Sequence, residues 1–364
     1  MRISSDYVVV GSGLTGATIA RLLHDAGREV LVLERRQHLG GNVHDWLHGS
    51  GIRVHTYGPH YFRTGSRRVW AYVNRFAEFY PFAAVVKTLV DGQFEDWPVS
   101  AAYIRRAVGP RWLPAFHGSP SNFEEASLGM MPRVVYEKFV KGYTEKQWGV
   151  PATALAASLA RRFDVRANGD ARLVKHAYQG LPRGGYAAFV DRMLAGLPVQ
   201  KGFDYLAHRS GIVSRKALVF TGPIDEYFGY DLGRLTYRGQ RREHEYVEGI
   251  AWALPYVQVN NPDPAGGPHI RTVEWKHLLP PEETERIGGT VVTRETPIRP
   301  TEPGAYEYPF PDAQNAALYR RYRARAESQP RVLICGRLGE YRYYDMDQAI
   351  GRAMVLAGRL LAEG

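Results

Sequence analysis

A glycine-rich turn near the start of the chain constrains its fold more than any other feature. The apolar run at 7–10 leads directly into Gly-Ser-Gly-Leu-Thr-Gly at 11–16, and an amphipathic stretch follows it. Gly11 permits a tight turn, Gly13 lets the backbone approach a pyrophosphate, and Gly16 lets a helix pack on the strand. The order of strand, turn and helix predicts a dinucleotide cradle at the head of a doubly wound sheet, with the helix N-terminus facing the phosphates.

Later features favour FAD as the dinucleotide. Glu34 ends a second predicted strand, where a carboxylate accepts hydrogen bonds from the adenosine ribose. Gly40, Gly41 and Asn42 follow, and we expect the glycine pair to lie against the FAD pyrophosphate. Near the C-terminus, a strand at 331–335 and a following helix would bring a positive helix end to the reduced flavin. The alternative is a glycine-rich turn that binds no ligand.

Composition and charge limit the kinds of partner. The chain of 364 residues has a net charge of +10, and it contains no recognition helix, zinc-ligand spacing or aromatic RNA platform. Neither nucleic acid nor a metal is therefore expected, and an anionic nucleotide diphosphate explains the charge as well as a polyanion would. No apolar run is long enough to span a membrane, and no signal peptide is expected. The single cysteine, Cys335, fits a reducing cytoplasm, where we expect the protein.

The order of predicted elements indicates an α/β fold. A Rossmann-like FAD-binding domain would carry an inserted helical domain and an antiparallel β-sheet substrate domain. The pattern predicts helices at 66–80, 182–200 and 312–328, and strands at 217–221 and 246–252. The expected division is FAD-binding segments at 1–80, 182–215 and 311–364, a hairpin of the sheet domain at 81–100 with its turn at Asp91-Gly92, a helical domain with a lid loop at 101–165, and the β-sheet substrate domain at 216–310.

Five motifs are specific enough to indicate a family. They are YGPHYF at 57–62, KGYTEKQWG at 141–149, YQGLPRGGY at 178–186, TGPIDEYF with LTYR at 221–238, and GRLGEYRYYDMD at 336–347. Together they resemble the bacterial UDP-galactopyranose mutases over nearly the whole chain. The resemblance implies an FAD-dependent isomerase, an intramolecular transferase active only with reduced flavin, that interconverts UDP-galactopyranose and UDP-galactofuranose. In that chemistry flavin N5 attacks the anomeric carbon and displaces the nucleotide diphosphate.

The same resemblance implies partners and site residues. The expected partners are a nucleotide sugar, an external reductant such as NAD(P)H or a flavin reductase system, and, as one option, a second copy in a homodimer. Arg162 and Arg271 match the family's catalytic arginines, which hold the departing diphosphate, and His60 lies where its loop passes the flavin. Flavin-side contacts are expected from Arg337, Asp345 and Met346. Substrate contacts are expected from Phe139 and Tyr143 at the base, Trp148 on the mobile lid, Tyr308 and Tyr343 at the diphosphate, and Arg238, Asn261, Arg63 and Leu173.

Several positions depart from the family pattern. Arg63 stands where the family has a second histidine, Ser100 where it has an amide, and Leu173 where it has a phosphate-contacting tyrosine, and Val174 also departs from the pattern. These changes in the pocket lining leave open the same ring contraction on another nucleotide sugar, such as dTDP-fucose or another 6-deoxy or differently carried sugar. Two other classes also remain, namely an amine-oxidase-like flavin oxidoreductase and a non-catalytic sugar-nucleotide sensor.

Overall fold

The computed structural model describes residues 3–363, and positions 1, 2 and 364 of the predicted nucleotide-binding segments lie outside them. The strands are β1 Ile3–Val10, β2 Val30–Glu34, β3 Asp45–Leu47, β4 Arg53–His55, β5 Phe62–Thr64, β6 Phe79–Pro81, β7 Val86–Val90, β8 Gln93–Trp97, β9 Tyr178–Pro182, β10 Val199–Lys201, β11 Ile212–Phe220, β12 Tyr237–Glu248, β13 Gln258–Asn260, β14 Arg271–Glu274, β15 Gly289–Ile298, β16 Tyr308–Pro309 and β17 Val332–Ile334. The α-helices are α1 Leu14–Asp25, α2 Arg67–Val73, α3 Ala101–Val108, α4 Phe123–Leu128, α5 Arg133–Tyr136, α6 Gly142–Trp148, α7 Gly185–Met193, α8 Tyr205–His208, α9 Ile224–Tyr227, α10 Pro281–Thr284, α11 Ala313–Glu327, α12 Gly336–Gly339 and α13 Met346–Glu363.

A five-stranded parallel sheet forms the nucleotide-binding part, in the order β10-β2-β1-β11-β17. Strand β1 is central because its apolar residues are buried between α-helices on both faces, as a parallel sheet requires. The glycine turn follows β1 at the carboxyl edge of the sheet and leads into α1, as predicted. Helix α13 packs on α1, and the Tyr7 hydroxyl donates to the carbonyl of Leu360 at 3.4 Å.

A seven-stranded, mostly antiparallel sheet has the order β16-β12-β15-β14-β13-β7-β8. The predicted hairpin is confirmed: β7 and β8 pair antiparallel, and both turn residues, Asp91 and Gly92, have positive φ angles of 50° and 77°. The strand predicted at 217–221 is observed as β11, but it lies in the parallel sheet because it pairs with β1. Residues 216–220, expected in the substrate sheet, therefore belong to the nucleotide-binding part. The strand predicted at 246–252 is displaced, since β12 ends at Glu248.

The stretch at 101–165 is helical, as predicted, and has its own apolar core around Tyr136 and Phe139. Two helices predicted elsewhere are shorter than expected. The helix at 66–80 is α2, which Ser66 caps by accepting from the Val69 N–H, and residues 79–81 form β6, which pairs with β9. The helix predicted at 182–200 is observed as α7, Gly185–Met193. It begins later than predicted because β9 extends to Pro182.

Two findings concern residues 3–363 as a whole. In this range every helix is too short or too polar to traverse a bilayer. The same residues contain no group of three or more histidine, cysteine, aspartate or glutamate side chains arranged to hold a metal ion.

Candidate active site

Three cavities lie side by side between the parallel sheet and the helical segment. The cradle cavity lies at the glycine turn, the central cavity lies on the antiparallel sheet, and the helical cavity lies under α6. The residues shared by the cradle and central cavities are Asn42, His60, Arg337 and Met346. Those shared by the central and helical cavities are Trp97, Tyr143, Arg162, Arg271 and Tyr308. The shared walls make the three cavities one elongated site.

The cradle is shaped to admit a pyrophosphate. Gly11 has a φ of +97°, and a Cβ on Gly16 would lie 2.0 Å from the carbonyl oxygen of Gly11, so helix and turn pack without a side chain between them. A Cβ on Gly13 would have only the Cα of Gly41 within 4 Å, at 3.8 Å. The space above Gly13 is therefore open, and the second glycine pair borders it through the bridge between Gly13 and Gly40. These residues fit the FAD pyrophosphate.

Three hydrogen bonds fix the carboxylate of Glu34 beside the glycine turn. Glu34 is buried, and its carboxylate accepts from the Ser12 backbone N–H at 2.8 Å, the Ser12 hydroxyl at 2.6 Å and the Arg36 N–H at 2.9 Å. The two arginines that follow Glu34 are engaged elsewhere. Arg35 pairs with Glu226 at 2.7 Å, and Arg36 donates to the Asn42 side-chain oxygen at 3.0 Å. This arrangement favours an adenosine without a 2′-phosphate, as in FAD.

The junction of the cradle and central cavities is held by main-chain contacts. The guanidinium of Arg337 donates to the carbonyls of Glu307 at 3.1 Å and Tyr344 at 2.9 Å. The His60 N–H donates to Nδ1 of His55 at 3.0 Å, and the Tyr186 hydroxyl donates to the His60 carbonyl at 3.0 Å. Helix α13 begins at Met346 and presents its N-terminus at this junction.

These histidines predict an acid-sensitive fold. Burial lowers the pKa of His55 to about 4, and desolvation also lowers the pKa of His60 well below 6.5. Between pH 6.5 and about 4, the unfolded chain therefore binds protons that the folded chain does not. The free energy of unfolding should fall as the pH is lowered through this window, by at most about 1.4 kcal/mol per pH unit for each such histidine.

Denaturant unfolding at pH 7, 6 and 5 measures this dependence. His55→Asn keeps an acceptor for the His60 N–H but removes one titrating group, so its stability should fall less steeply with acid than that of the wild type. An unchanged slope in this variant would show that His55 does not contribute.

The central cavity carries an excess of positive charge. Four arginines line it, Arg63, Arg162, Arg271 and Arg337, against the two carboxylates of Glu307 and Asp345. This gives a net charge of +2 with histidine neutral. A dianion such as a nucleotide diphosphate matches this charge.

Arg162 and Arg271 both face this cavity but differ in their partners. The Arg162 guanidinium lies 4.0 Å above the centre of the Tyr343 ring, and it forms no ion pair with a carboxylate of the described residues. Its exposed surface faces the open cavity. Arg271 instead donates through Nε to Glu295 at 2.6 Å. The Tyr308 and Tyr343 rings lie parallel, with centroids 6.1 Å apart.

The helical cavity is mainly aromatic. Phe139, Tyr143 and Trp148 line it, as the motifs predict, together with Phe123 and Phe163. Trp148 is the last residue of α6 and is buried, with its ring edge-on to Phe310 at 5.8 Å. Flat apolar walls of this kind suit a nucleobase.

Two expected substrate residues line none of these three cavities. Arg238 donates to the carbonyls of Gln147 at 2.8 Å and Lys146 at 3.3 Å, and thereby holds the C-terminal end of α6. Asn261 is buried and donates to the carbonyls of Gly266 and His269, within the loop that follows β13. Neither lines the central or helical cavity, so the structure does not bring Arg238 and Asn261 together with the other expected substrate residues.

The positions that depart from the family pattern have different surroundings. Arg63 and Leu173 do line the central cavity, and Arg63 pairs with Asp345 at 3.2 Å. Ser100 instead caps α3 by accepting from the Tyr103 N–H. Asp345 also accepts from the Tyr343 hydroxyl at 3.0 Å, so Arg63 and Tyr343 share one carboxylate.

Sequence reasoning missed several residues of the central cavity. Gln258, Asn260 and Glu307 line it, and the Gln258 amide donates to Asn260 at 2.8 Å. For Gln258 and Asn260 the sequence did contain a weak signal. These two polar residues are two positions apart on β13, so both face the same side of the sheet.

Comparisons with known proteins agree with this geometry. A family model described as UDP-galactopyranose mutase matches residues 138–343, and one described as an NAD(P)-binding Rossmann-like domain matches residues 9–76. A probable UDP-galactopyranose mutase of Klebsiella pneumoniae is 33% identical, over 99% of this chain and 95% of that protein. A dTDP-fucopyranose mutase of Escherichia coli is 31% identical, over 96% and 97%. The solved structure of a reduced UDP-galactopyranose mutase superposes with a TM-score of 0.78 at 16% identity, covering 99% of this chain and 96% of that one.

Proposed function

Because the chain belongs to the UDP-galactopyranose mutase family, an FAD-dependent family of isomerases, we propose that its three cavities hold the cofactor, the sugar diphosphate and the base of one nucleotide sugar. The protein is a mutase that interconverts the pyranose and furanose forms of such a sugar. Our first choice of substrate is UDP-galactopyranose. The cradle cavity would hold FAD through Gly13, Gly41 and Glu34, with its flavin end at the junction near Met346.

The observation that carries the proposal is the pair of arginines at the wall between the central and helical cavities. Arg162 and Arg271 line both cavities, beside Tyr308. A diphosphate held there would place its sugar in the central cavity and its base among the aromatic residues. The two guanidinium groups would stabilise the negative charge that develops when the bond to the sugar breaks.

Reduced FAD, when bound, supplies a nucleophilic nitrogen to the anomeric carbon of the sugar. The chain's own residues would hold the sugar and keep water away. Trp97 and Leu173 would form an apolar part of the wall of the central cavity, while the side-chain amide of Asn260 would offer a polar group to sugar hydroxyls. Tyr308 would donate a hydrogen bond to the diphosphate, and Tyr343 could do so only after its hydroxyl leaves Asp345.

A second candidate is the same reaction on a 6-deoxy sugar such as dTDP-fucose. Leu173 favours it, because an apolar side chain in the central cavity suits a methyl group better than a hydroxymethyl group. The dTDP-fucopyranose mutase of Escherichia coli is about as similar to this chain as the Klebsiella protein is.

Three further proposals concern the reductant, the cellular location and the oligomeric state of the protein. We propose an external reductant, NAD(P)H or a flavin reductase system, because the isomerisation produces no electrons with which to reduce the flavin. We also propose that the protein acts in the cytoplasm, which is supported by the single unpaired cysteine, Cys335, and that a homodimer is one form of it.

The proposed function is tested with dithionite-reduced protein and a panel of nucleotide sugars. We expect furanose product from UDP-galactopyranose with the reduced protein and essentially none with the oxidised protein, because only reduced flavin carries the nucleophilic nitrogen. Equal rates in both states would contradict the proposal. Turnover of dTDP-fucose alone would select the second candidate. Oxygen consumption with turnover, and no need for prior reduction, would instead indicate an oxidoreductase.

A further inference from the structure

A row of alternating charges crosses three neighbouring strands of the seven-stranded sheet. Glu295 on β15 lies directly opposite Arg242 on β12 and opposite Arg271 on β14. Residues directly opposite on paired strands project from the same face of a sheet. The three strands therefore carry arginine, glutamate and arginine side by side.

Side-chain hydrogen bonds extend this row by one more carboxylate, that of Glu307. Arg271 donates through Nε to one oxygen of Glu295 at 2.6 Å, and Arg242 donates through Nε to the other at 3.2 Å. The two terminal nitrogens of Arg242 donate to the two oxygens of Glu307, at 2.9 and 2.8 Å. The side chains of Arg242, Glu295 and Glu307 are at most 7% exposed. Every one of the four groups is thus fixed by another.

The loop that carries His60 covers this row. Gly58 is buried with a φ of +88°, and a Cβ there would lie 2.8 Å from Glu295, 3.1 Å from Arg242 and 3.2 Å from Arg271. No side chain fits between the loop and the charges. The row therefore has little freedom to rearrange.

We infer that Arg242 is a positioning residue, which fixes the Glu295 carboxylate through its contact with Glu307 and so orients Arg271 toward the diphosphate. The inference rests on the proposed function, in which Arg271 stabilises the departing diphosphate. The row contains two arginines and two carboxylates and is neutral as a whole, so what Arg242 supplies is the fixed position of the carboxylate that Arg271 binds.

The sharpest test is a double-mutant cycle of Arg242→Lys and Arg271→Lys. Lysine keeps the charge but cannot bridge two carboxylates with a planar fork. Arg242→Lys should lower kcat about ten- to a hundredfold, as expected when a catalytic group is displaced by a fraction of an ångström to one ångström. If Arg242 acts through Arg271, it should have no further effect in the Arg271→Lys background. Independent, multiplicative losses would overturn the inference.

Controls separate positioning from structural support. Arg241→Leu removes the exposed neighbour on the opposite face of β12, whose only ion pair within residues 3–363 is with exposed Glu243, and it should leave kcat unchanged. Arg242→Lys should keep the FAD content and melting temperature of the wild type. A loss of turnover that merely follows a loss of FAD or of folded protein would assign Arg242 a structural role and overturn the inference.

A second variant decides the question if Arg242→Lys fails to fold. Arg242→Leu combined with Glu307→Leu removes both charges of the outer pair, a replacement that buried ion pairs often tolerate. This variant should bind FAD and still lose turnover, since Glu295 is then held only by Arg271. Wild-type turnover in it would overturn the inference, and so would failure of both variants to bind FAD.

The inference and the proposed function can fail separately. Turnover of any nucleotide sugar by the wild-type protein tests the function. The affinity of the same four proteins of the cycle for UDP gives a second cycle that requires no turnover. Additive effects on UDP affinity, in a protein that isomerises no sugar, would overturn the inference as well.

Discussion

Gly13→Leu protein is expected to fold but to be purified without FAD, and therefore to be colourless. The backbone of Gly13 has φ −64° and ψ 173°, which any residue adopts without strain. A Cβ there meets no protein atom closer than 3.8 Å, so the side chain enters only the space that we assign to the pyrophosphate. Absorbance near 450 nm after reconstitution with FAD, together with the melting temperature without FAD, measures both effects.

Two other glycines provide contrasts for this prediction. Gly358→Leu places the same side chain on α13, where a Cβ meets nothing within 4 Å, and it should remain yellow. Gly16→Ala places a Cβ 2.0 Å from the Gly11 carbonyl oxygen and should destabilise the fold itself. Yellow, fully loaded Gly13→Leu protein would show that the cofactor does not lie against this turn.

Arg162→Ala is expected to lower turnover by about a hundred- to a thousandfold while FAD stays bound, the cost of removing one electrostatic donor at a site of developing charge. Arg162 lies in the wall between the central and helical cavities and away from the glycine turn, so the cofactor should not depend on it. It is a cleaner test than Arg271, because removing Arg271 also leaves the buried Glu295 without one of its two partners.

The matched control for this prediction is Arg161→Ala. Arg161 precedes Arg162 in the same short helical segment at 157–162 and is exposed as Arg162 is, but it lines neither cavity. Single-turnover rates with reduced protein, at saturating substrate, should fall for Arg162→Ala and not for Arg161→Ala. Near-normal turnover of Arg162→Ala would place this arginine outside the machinery of the reaction.

Local patterns predicted the cradle well, because the physical reasons for them lie within a few residues. The glycines at 11–16 and the acid at position 34 are set by one turn and the strand beside it. Elements that depend on distant pairing were harder to predict. Residues 79 and 80 fall at the end of the predicted helix, yet they form a strand because β9, about a hundred positions later, pairs with them. Tertiary contacts overrode the local periodicity there.

In the candidate site, too, local motifs were easier to interpret than features that depend on distant parts of the chain. Motif position identified Arg162, Arg271 and Tyr308, which do meet at one wall. It did not show which polar residues point elsewhere, so Arg238 was expected at the substrate although it holds the end of α6. Glu307 was missed for the opposite reason, since its place in the cavity depends on how β12, β15 and β16 align rather than on any local pattern.

The order of strands in the parallel sheet has a consequence for synthesis of the protein. Neighbours of β1 on one side are β11 and then β17, which leave the ribosome some two hundred and three hundred residues after it. Helix α13, which packs on α1, emerges later still. Until then the cradle lacks one flank, so the nascent chain exposes apolar sheet edges for most of its translation. Residues 336–338, Met346 and Ala349 also line the cradle cavity, so the complete cofactor site exists only after they have emerged.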